Sequence, residues 1–387
     1  MDTLICKQGL FGGTDKLLDR LYKWLVKNGH PVDLFCITED EPGRLKKEYD
    51  LIILPSSQIG DIYSLMKNGI RVKHMLVWIM GMGAFSDSYY TYPPKGTIDK
   101  LLYKMYQREA VDTLKWLIRN KAIIFTDSVG IYNTVKTSGI SLTETLEKDI
   151  VPIAIECPDE NQWKIKHSNI DERTIRISWV GRVAKDFKEI PILHLIDDIE
   201  NYLKHKNLRI ELTIVGNGDA ITMIKEKASG ASFPINFINN IPYDKLNIYF
   251  GDKVDLLIAM GTSALDGAKI GCPTVVITPV RPNDPERVEY RWIYDSVGYS
   301  LGEFPNIDIE TGQPRTSFEK IMDEYSLGFG ISEECFKYAH EFDTNVVFHA
   351  LINRELPGQI DSEMIKHIDN FQKMKTRKSF VKRIIKR

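Results

Sequence analysis

The chain has 387 residues, 43% of them hydrophobic and 27% charged, with a formal net charge of −2. That length exceeds one ordinary hydrophobic core and implies two domains, and the composition is that of a globular protein. The near-neutral charge excludes a general pull toward nucleic acid, and the longest apolar run, Met75 to Phe85, is shorter than the roughly 18–20 residues needed to span a bilayer.

In chain order, Thr3–Cys6 predicts a first strand, broken by a loop carrying Gly9, Gly12 and Gly13. Thr14 is placed to cap a helix whose Leu17, Leu18, Leu21, Trp24 and Leu25 recur at helical spacing up to Asn28-Gly29. Strands follow at Val32–Ile37, Leu51–Leu54 and Met75–Met80, with a helix at 61–68. A loop rich in Gly, Ser, Tyr and Pro covers 81–95, then a helix at about 97–119 precedes a strand at Ala122–Thr126. This alternation predicts an α/β, doubly wound parallel sheet. The polar stretch Glu156–Asp171 carries no period and reads as a linker, so the first domain is set at 1–160.

The pattern then restarts. Strands are expected at Thr174–Val180, Arg209–Val215 and Pro234–Ile238, with helices at 188–205, 219–228 and 242–250. Val254–Thr278 reads as one complete βαβ unit: an apolar strand to Met260, the turn Gly261-Thr262-Ser263, a helix Ala264–Ile270, the stop Gly271-Cys272-Pro273 and a second strand. Helices at 315–325, 332–342 and 344–354 complete a second domain set at 161–355, and a last helix begins near Ser362.

Two segments suit a phosphate. The turn at 261–263 offers backbone N–H groups and the hydroxyls of Thr262 and Ser263 without a side chain at Gly261, although a simply capped βα turn would read the same. The strand ending Gly181-Arg182, with Lys185 and Lys188 after it, sends cations to the carboxyl edge of the sheet, where open α/β sheets bind ligands. A guanidinium grips phosphate oxygens as a fork and an ammonium adds a compact charge, while Lys185 alone reads as a solvated loop residue. Asn217, between Gly216 and Gly218, marks a turn that a ligand can approach closely. Asp266, one turn into its helix, is placed to accept from sugar hydroxyls or to complement the helix dipole.

The ordered set G-R…K, V-G-N-G-D and MGTSALDGAKIGCPTVV resembles the nucleotide-sugar half of GT-B glycosyltransferases, in particular the large retaining family 4. The opening glycine loop and Asn28-Gly29-His30-Pro31-Val32 resemble that family's start, so the likeness spans most of the chain. It implies two Rossmann-like domains facing each other across a cleft. It also implies that Arg182 and Lys188 hold the donor diphosphate, with Thr262 and Ser263 against the same phosphates. Gly12 and Gly13 admit the phosphate and sugar, and Asn239–Tyr243 lies along the base. The sequence departs from the family where Ile258 replaces the first of two glutamates, Asp266 the second, and Met80-Gly81 a histidine. Asp87, near the turn Trp78–Gly81, is the substitute polar residue expected at the reacting carbon, and Asp266 the second acid. A solvent-facing loop acid would read like Asp87. Tyr89 and Tyr90 are the aromatic faces expected against an acceptor sugar. A nucleoside diphosphate leaves as a stable anion, so cations and dipoles carry most of the catalysis. No D-x-D constellation is placed to hold a metal, so no metal and no cofactor is expected beyond the nucleotide-sugar substrate.

Beyond Asp369 the tail holds eight basic residues and no acid, with Phe371, Phe380, Val381, Ile384 and Ile385 between them. Residues 356–387 therefore read as a basic helix, lying on an anionic membrane surface through 371–387 or folded back on the first domain. Five scattered cysteines without a C-x-x-C pair, and no signal-peptide pattern at the start, point to the cytoplasm. Two functional readings stand. One is a retaining transferase adding a sugar to a glycan or lipid-linked saccharide of a bacterial surface polymer. The other is a GT-B-shaped binding subunit without catalysis, favoured by Ile258 and Met80.

Overall fold

The computed structural model describes residues 1–9, 13–80, 85, 96–140, 147–159, 174–281, 287–328 and 330–385, with the backbone alone at 96, 98, 99, 102, 147 and 375–385. The chain divides into two compact units, Met1–Ala154 with Val347–Arg387, and Ile155–Val346. Residues 155–160, set in the first domain by sequence, belong to the second unit, and 347–355 move the other way.

The first unit is built on β1 (Thr3–Lys7), α1 (Gly13–Lys27), β2 (Val32–Cys36), β3 (Glu48–Pro55), α2 (Ile62–Lys67), β4 (Arg71–Ile79), α3 (Gly96–Arg119), β5 (Ile123–Phe125) and α4 (Ser128–Ser138). Its strands run parallel in the order β2-β1-β3-β4-β5. The apolar stripe of α1 is buried as its spacing requires. Its start differs from expectation. The helix begins at Gly13, and Asp15 in its first turn accepts from the N–H groups of Gln8 (3.2 Å) and Gly9 (2.8 Å), in place of a Thr14 cap. Gly9 is held at φ +91°, and a Cβ there would lie 2.3 Å from Thr38 Oγ1. The helix α4, which no apolar period announces, is made by its ends: Asp127 accepts from Gly130 N at 2.7 Å, and Gly139 closes it at φ +65°.

The second unit contains β6 (Thr174–Val180), α5 (Glu189–Leu203), β7 (Arg209–Val215), α6 (Ile221–Ala228), β8 (Ile235–Ile238), α7 (Tyr243–Lys253), β9 (Leu256–Ala259), α8 (Thr262–Ala268), β10 (Thr274–Ile277), β11 (Tyr290–Trp292), α9 (Pro305–Glu310), α10 (Phe318–Leu327) and α11 (Ile331–His340). Its strand order is β11-β10-β9-β6-β7-β8, parallel except for the antiparallel edge strand β11.

The helix α12 (Thr344–Ile352) carries the chain back to the first unit, and α13 (Ser362–Ile385) ends it. Met364, Ile368 and Phe371 of α13 enter the first core beside Ile59, Ile62, Leu65 and Leu117. The helix runs so close to Gly60 that a Cβ there would stand 3.1 Å from Gln372 N. Trp116 Nε1 donates to Asp361 Oδ1 at 3.0 Å, and Tyr106 Oη to Met374 O at 2.6 Å. Phe371, expected on a membrane-facing stripe, is therefore spent on the fold at 1% exposure. Among the described residues, no helix is long and apolar enough to cross a membrane.

Replacing Phe371 by Ala removes a fully buried ring and should cost about 3–5 kcal/mol of first-unit stability in chemical denaturation. A cost under about 1 kcal/mol would show that α13 does not dock there.

Candidate active site

Register aligns the carboxyl ends of three neighbouring strands in the second sheet. Trp179 lies opposite both Ile214 and Ile258, and Val180 opposite Val215. The loops that follow are therefore adjacent: Gly181-Arg182 after β6, Gly216-Asn217 after β7, and Gly261-Thr262-Ser263 after β9. Ile258 itself is a wholly buried mid-strand residue, so position 258 presents its side chain to the core.

The first two loops touch backbone to backbone. Val183 N donates to Asn217 O at 3.0 Å, Gly181 N to Val215 O at 3.0 Å, and Gly216 N to Ile238 O at 2.9 Å. A Cβ on Gly216, held at φ +146°, would fall 1.9 Å from Gly181 O, and one on Gly218 2.0 Å from Val183 O. Those glycines admit the neighbouring loop, where the sequence had suggested room for a ligand. Beside them lies a cavity of about 500 Å³ lined by Gly181, Arg182, Asn217, Asn239, Ile241 and Leu246 among others.

Asp186 organises the cationic loop. It pairs with Arg182 at 2.5 Å and accepts from the N–H groups of Phe187 (2.6 Å) and Lys188 (3.2 Å). The Arg182 side chain remains exposed. Lys188 is half-buried, and its ammonium has neither an ion pair nor a hydrogen bond among the described residues. Burial, and then the Arg182 charge, push its pKa below the usual lysine value, against the pull of Asp186. The Trp179 indole N–H is also buried without a partner among the described residues. Both nitrogens stand 3.8 Å from the point where a Cβ on Gly181 would sit. Two orphan donors, one of them charged, thus converge on a residue without a side chain. An anion at that point would satisfy both.

The β9 turn is made by Gly261 at φ +62°, and α8 starts directly at Thr262. The hydroxyls of Thr262 and Ser263 have no hydrogen bond among the described residues, and both side chains are at least partly exposed. Asp266 is held more firmly than its sequence position suggested. Its Oδ1 pairs with Lys269 Nζ at 2.8 Å and accepts from Tyr243 Oη at 3.4 Å. Lys269 escaped the sequence reading, and Tyr243 entered it only as the end of the stretch expected along the base, although Asp266 and Lys269 are spaced i, i+3 on one helix, the separation at which such pairs meet. Phe187, Phe304 and Arg281 form a further cluster at this edge, with Arg281 4.2 Å over the Phe304 ring.

In the first unit, Gly13 opens α1 beyond the carboxyl end of β1, and a Cβ there would meet nothing within 4 Å, so nothing local demands glycine. Gly12, Asp87, Tyr89 and Tyr90 lie outside the described residues. Met80 is partly buried against the apolar face of the first sheet.

The apo form of lipopolysaccharide outer core galactosyltransferase WaaB superposes on this chain with a TM-score of 0.54, over 91% of this chain and 98% of that one, at 11% sequence identity. The chain has the GT-B fold. An alpha-glucosyltransferase in complex with UDP also aligns, at a TM-score of 0.47 and 16% identity, over 91% of this chain and 98% of that one. No family model and no curated protein matches the sequence. In the GT-B fold the second unit is a Rossmann-like domain, and the orphan donors stand at the carboxyl edge of its sheet, where such sheets take ligands.

Because the protonated Lys188 is the form that attracts an anion, pyrophosphate affinity should fall as pH rises through the lysine's lowered pKa. The variant Lys188→Met, titrated in parallel, should lack that part of the pH dependence, and identical profiles for the two proteins would remove Lys188 from the site.

Proposed function

We propose that the protein is a glycosyltransferase that moves a sugar from a nucleoside-diphosphate sugar to a glycan acceptor. The observation that supports this most is the convergence of the Lys188 ammonium and the Trp179 indole N–H on Gly181, beside the cavity that Arg182 and Asn217 line. Donors fixed in this way lose little entropy when charge develops on a departing diphosphate, which is where electrostatic catalysis acts. Thr262 and Ser263 serve the same phosphates, Asn239–Tyr243 borders the base, and Asp266 meets the sugar hydroxyls. In this reading Gly12 and Gly13 border the donor, Asp87 acts near the reacting carbon, and Tyr89 and Tyr90 stack on the acceptor.

The likeness to the retaining family implies that the acceptor attacks on the face from which the diphosphate leaves, and that a donor phosphate oxygen takes its proton. The reaction is proposed to need no metal, because no D-x-D constellation accompanies the cations. The acceptor is proposed to be a polysaccharide or lipid-linked glycan at the cytoplasmic face of a membrane, reached through the basic tail. With Phe371 in the core, that attachment falls to residues 375–387. The competing reading, a binding subunit without turnover, draws on the apolar residues Ile258 and Met80.

Incubation with UDP-, GDP- and ADP-linked sugars and glycan acceptors should give transfer with retained anomeric configuration, unaffected by a chelator. Lys188→Ala should lower kcat/KM by about 100-fold, the scale on which a single oxyanion donor acts. Nucleotide binding without transfer or hydrolysis across the panel would favour the binding subunit. Separately, sedimentation with vesicles rich in anionic lipid should retain the full chain and lose one ending at residue 374, and equal sedimentation would remove the tail's role.

A further inference from the structure

A second cavity lies wholly within the first unit, between one face of its sheet and the helices α1 and α12. Leu51 and Ile53 alternate along β3 onto that face, and Leu76 of β4 lies beside Ile53 in register. Leu21 and Leu25 of α1 and Leu351 of α12 complete the wall. All six side chains are buried, yet they leave a space of about 270 Å³. An apolar cavity of about 150 Å³ takes benzene, so this one has room for a chain of about ten carbons. Its mouth is pinned by the segment that follows α12. Pro357 O meets His74 Nδ1 at 2.8 Å, Gly358 N donates to Asn120 O at 2.7 Å, and Arg354 donates to Lys148 O at 2.9 Å. The space is therefore preformed, as small-molecule sites usually are.

The charges on the rim are already matched. Arg354 pairs with Asp149, and Glu355 with Lys121 at 2.6 Å. A carboxylate or ammonium head would be desolvated here with each opposite charge already taken. The other polar groups of the rim are the His30 imidazole and the Asn353 carboxamide, and neither makes a hydrogen bond among the described residues. The His30 ring is held in place by stacking on Trp24, with ring centroids 6.1 Å apart. An imidazole and an amide each both donate and accept, which suits a hydroxyl. We propose that this cavity binds an uncharged alcohol of about ten carbons, straight-chain or isoprenoid, its chain against the leucine wall and its hydroxyl on His30 and Asn353. The site draws on no residue of the second unit, so it stands whether or not the nucleotide reading does.

Calorimetric titration with 1-decanol and with geraniol, each below its solubility limit, should show saturable binding at one site, and the tighter ligand identifies the chain type. Hexanol should bind roughly a hundredfold more weakly than decanol, through the loss of four buried methylenes. Decanoate and decylamine should each bind about tenfold more weakly than decanol. Glu355→Gln, an exposed change that leaves the Lys121 ammonium without its partner, should narrow the decanoate deficit to about threefold. Ile352 lines the mouth and is only partly buried, so Ile352→Trp blocks the entrance and should abolish decanol binding. His30→Ala leaves the core untouched and gives a second readout where the tryptophan variant does not fold; it should weaken decanol by about threefold. Absence of binding by both alcohols, or decanol affinity unchanged in either variant, would overturn the proposal. Decanoate or decylamine binding as tightly as decanol would overturn it too.

Discussion

The arrangement of the second unit depends on two loops that approach with no space for a side chain between their backbones. The carbonyl of Gly181 occupies the place where a Cβ on Gly216 would be, and that of Val183 blocks Gly218 in the same way. Hydrogen bonds from Gly181 and Val183 to the β7 loop lock the contact. The β6 loop is thereby set on backbone alone, and the direction in which Arg182 and Lys188 leave the sheet is inherited from it. A contact of this kind tolerates almost no variation, since backbone atoms cannot rotate out of the way as the end of a side chain can.

On that frame the charges are distributed unequally. Arg182 has its own counter-ion in Asp186, but the pair is exposed and therefore worth little. Lys188 has none among the described residues, and the guanidinium beside it makes its charge harder still to hold. Trp179 adds a buried N–H without a hydrogen-bond partner among the described residues. The Lys188 ammonium lies 5.8 Å over the Phe187 ring and feels the Asp186 carboxylate, but neither donor has a hydrogen-bond partner among the described residues. Proteins keep such features where a ligand supplies the missing partner. Asp266 shows the opposite arrangement, with Oδ1 held by both Lys269 and Tyr243.

Much of this was legible from sequence, for identifiable reasons. The strands β6, β7 and β9 are short apolar runs bounded by glycine, and β9, α8 and β10 follow each other with turn residues at every junction. A small-residue turn after an apolar run places itself at the carboxyl edge of a parallel sheet, and Gly181, Gly216 and Gly261 do lie at that edge. What they were for was less plain: Gly216 and Gly218 serve a neighbouring loop, which no local pattern records. The helix α4 rests on its caps and β11 on three residues, too little for a period to register. Thr14 yielded to Asp15 because a carboxylate in the first turn reaches back to two N–H groups of the preceding loop. The helical spacing of α12 says nothing about which core its apolar face enters, and the fold puts Val347, Phe348 and Leu351 with the first unit. Lys269 was passed over because a lysine on a short helix ordinarily points to water, and only the fold shows it buried.

The discontinuity of the first unit bears on how the chain comes off the ribosome. The segment Ile155–Val346 is contiguous, so every strand of its sheet has been synthesised before its last residue appears. The first sheet is made earlier, yet its core lacks Met364, Ile368 and Phe371 until the whole second unit has been synthesised. Domains commonly fold in order of synthesis, N-terminal first. Here the earlier-made unit keeps the apolar surface that α13 covers open to solvent while the later unit is synthesised.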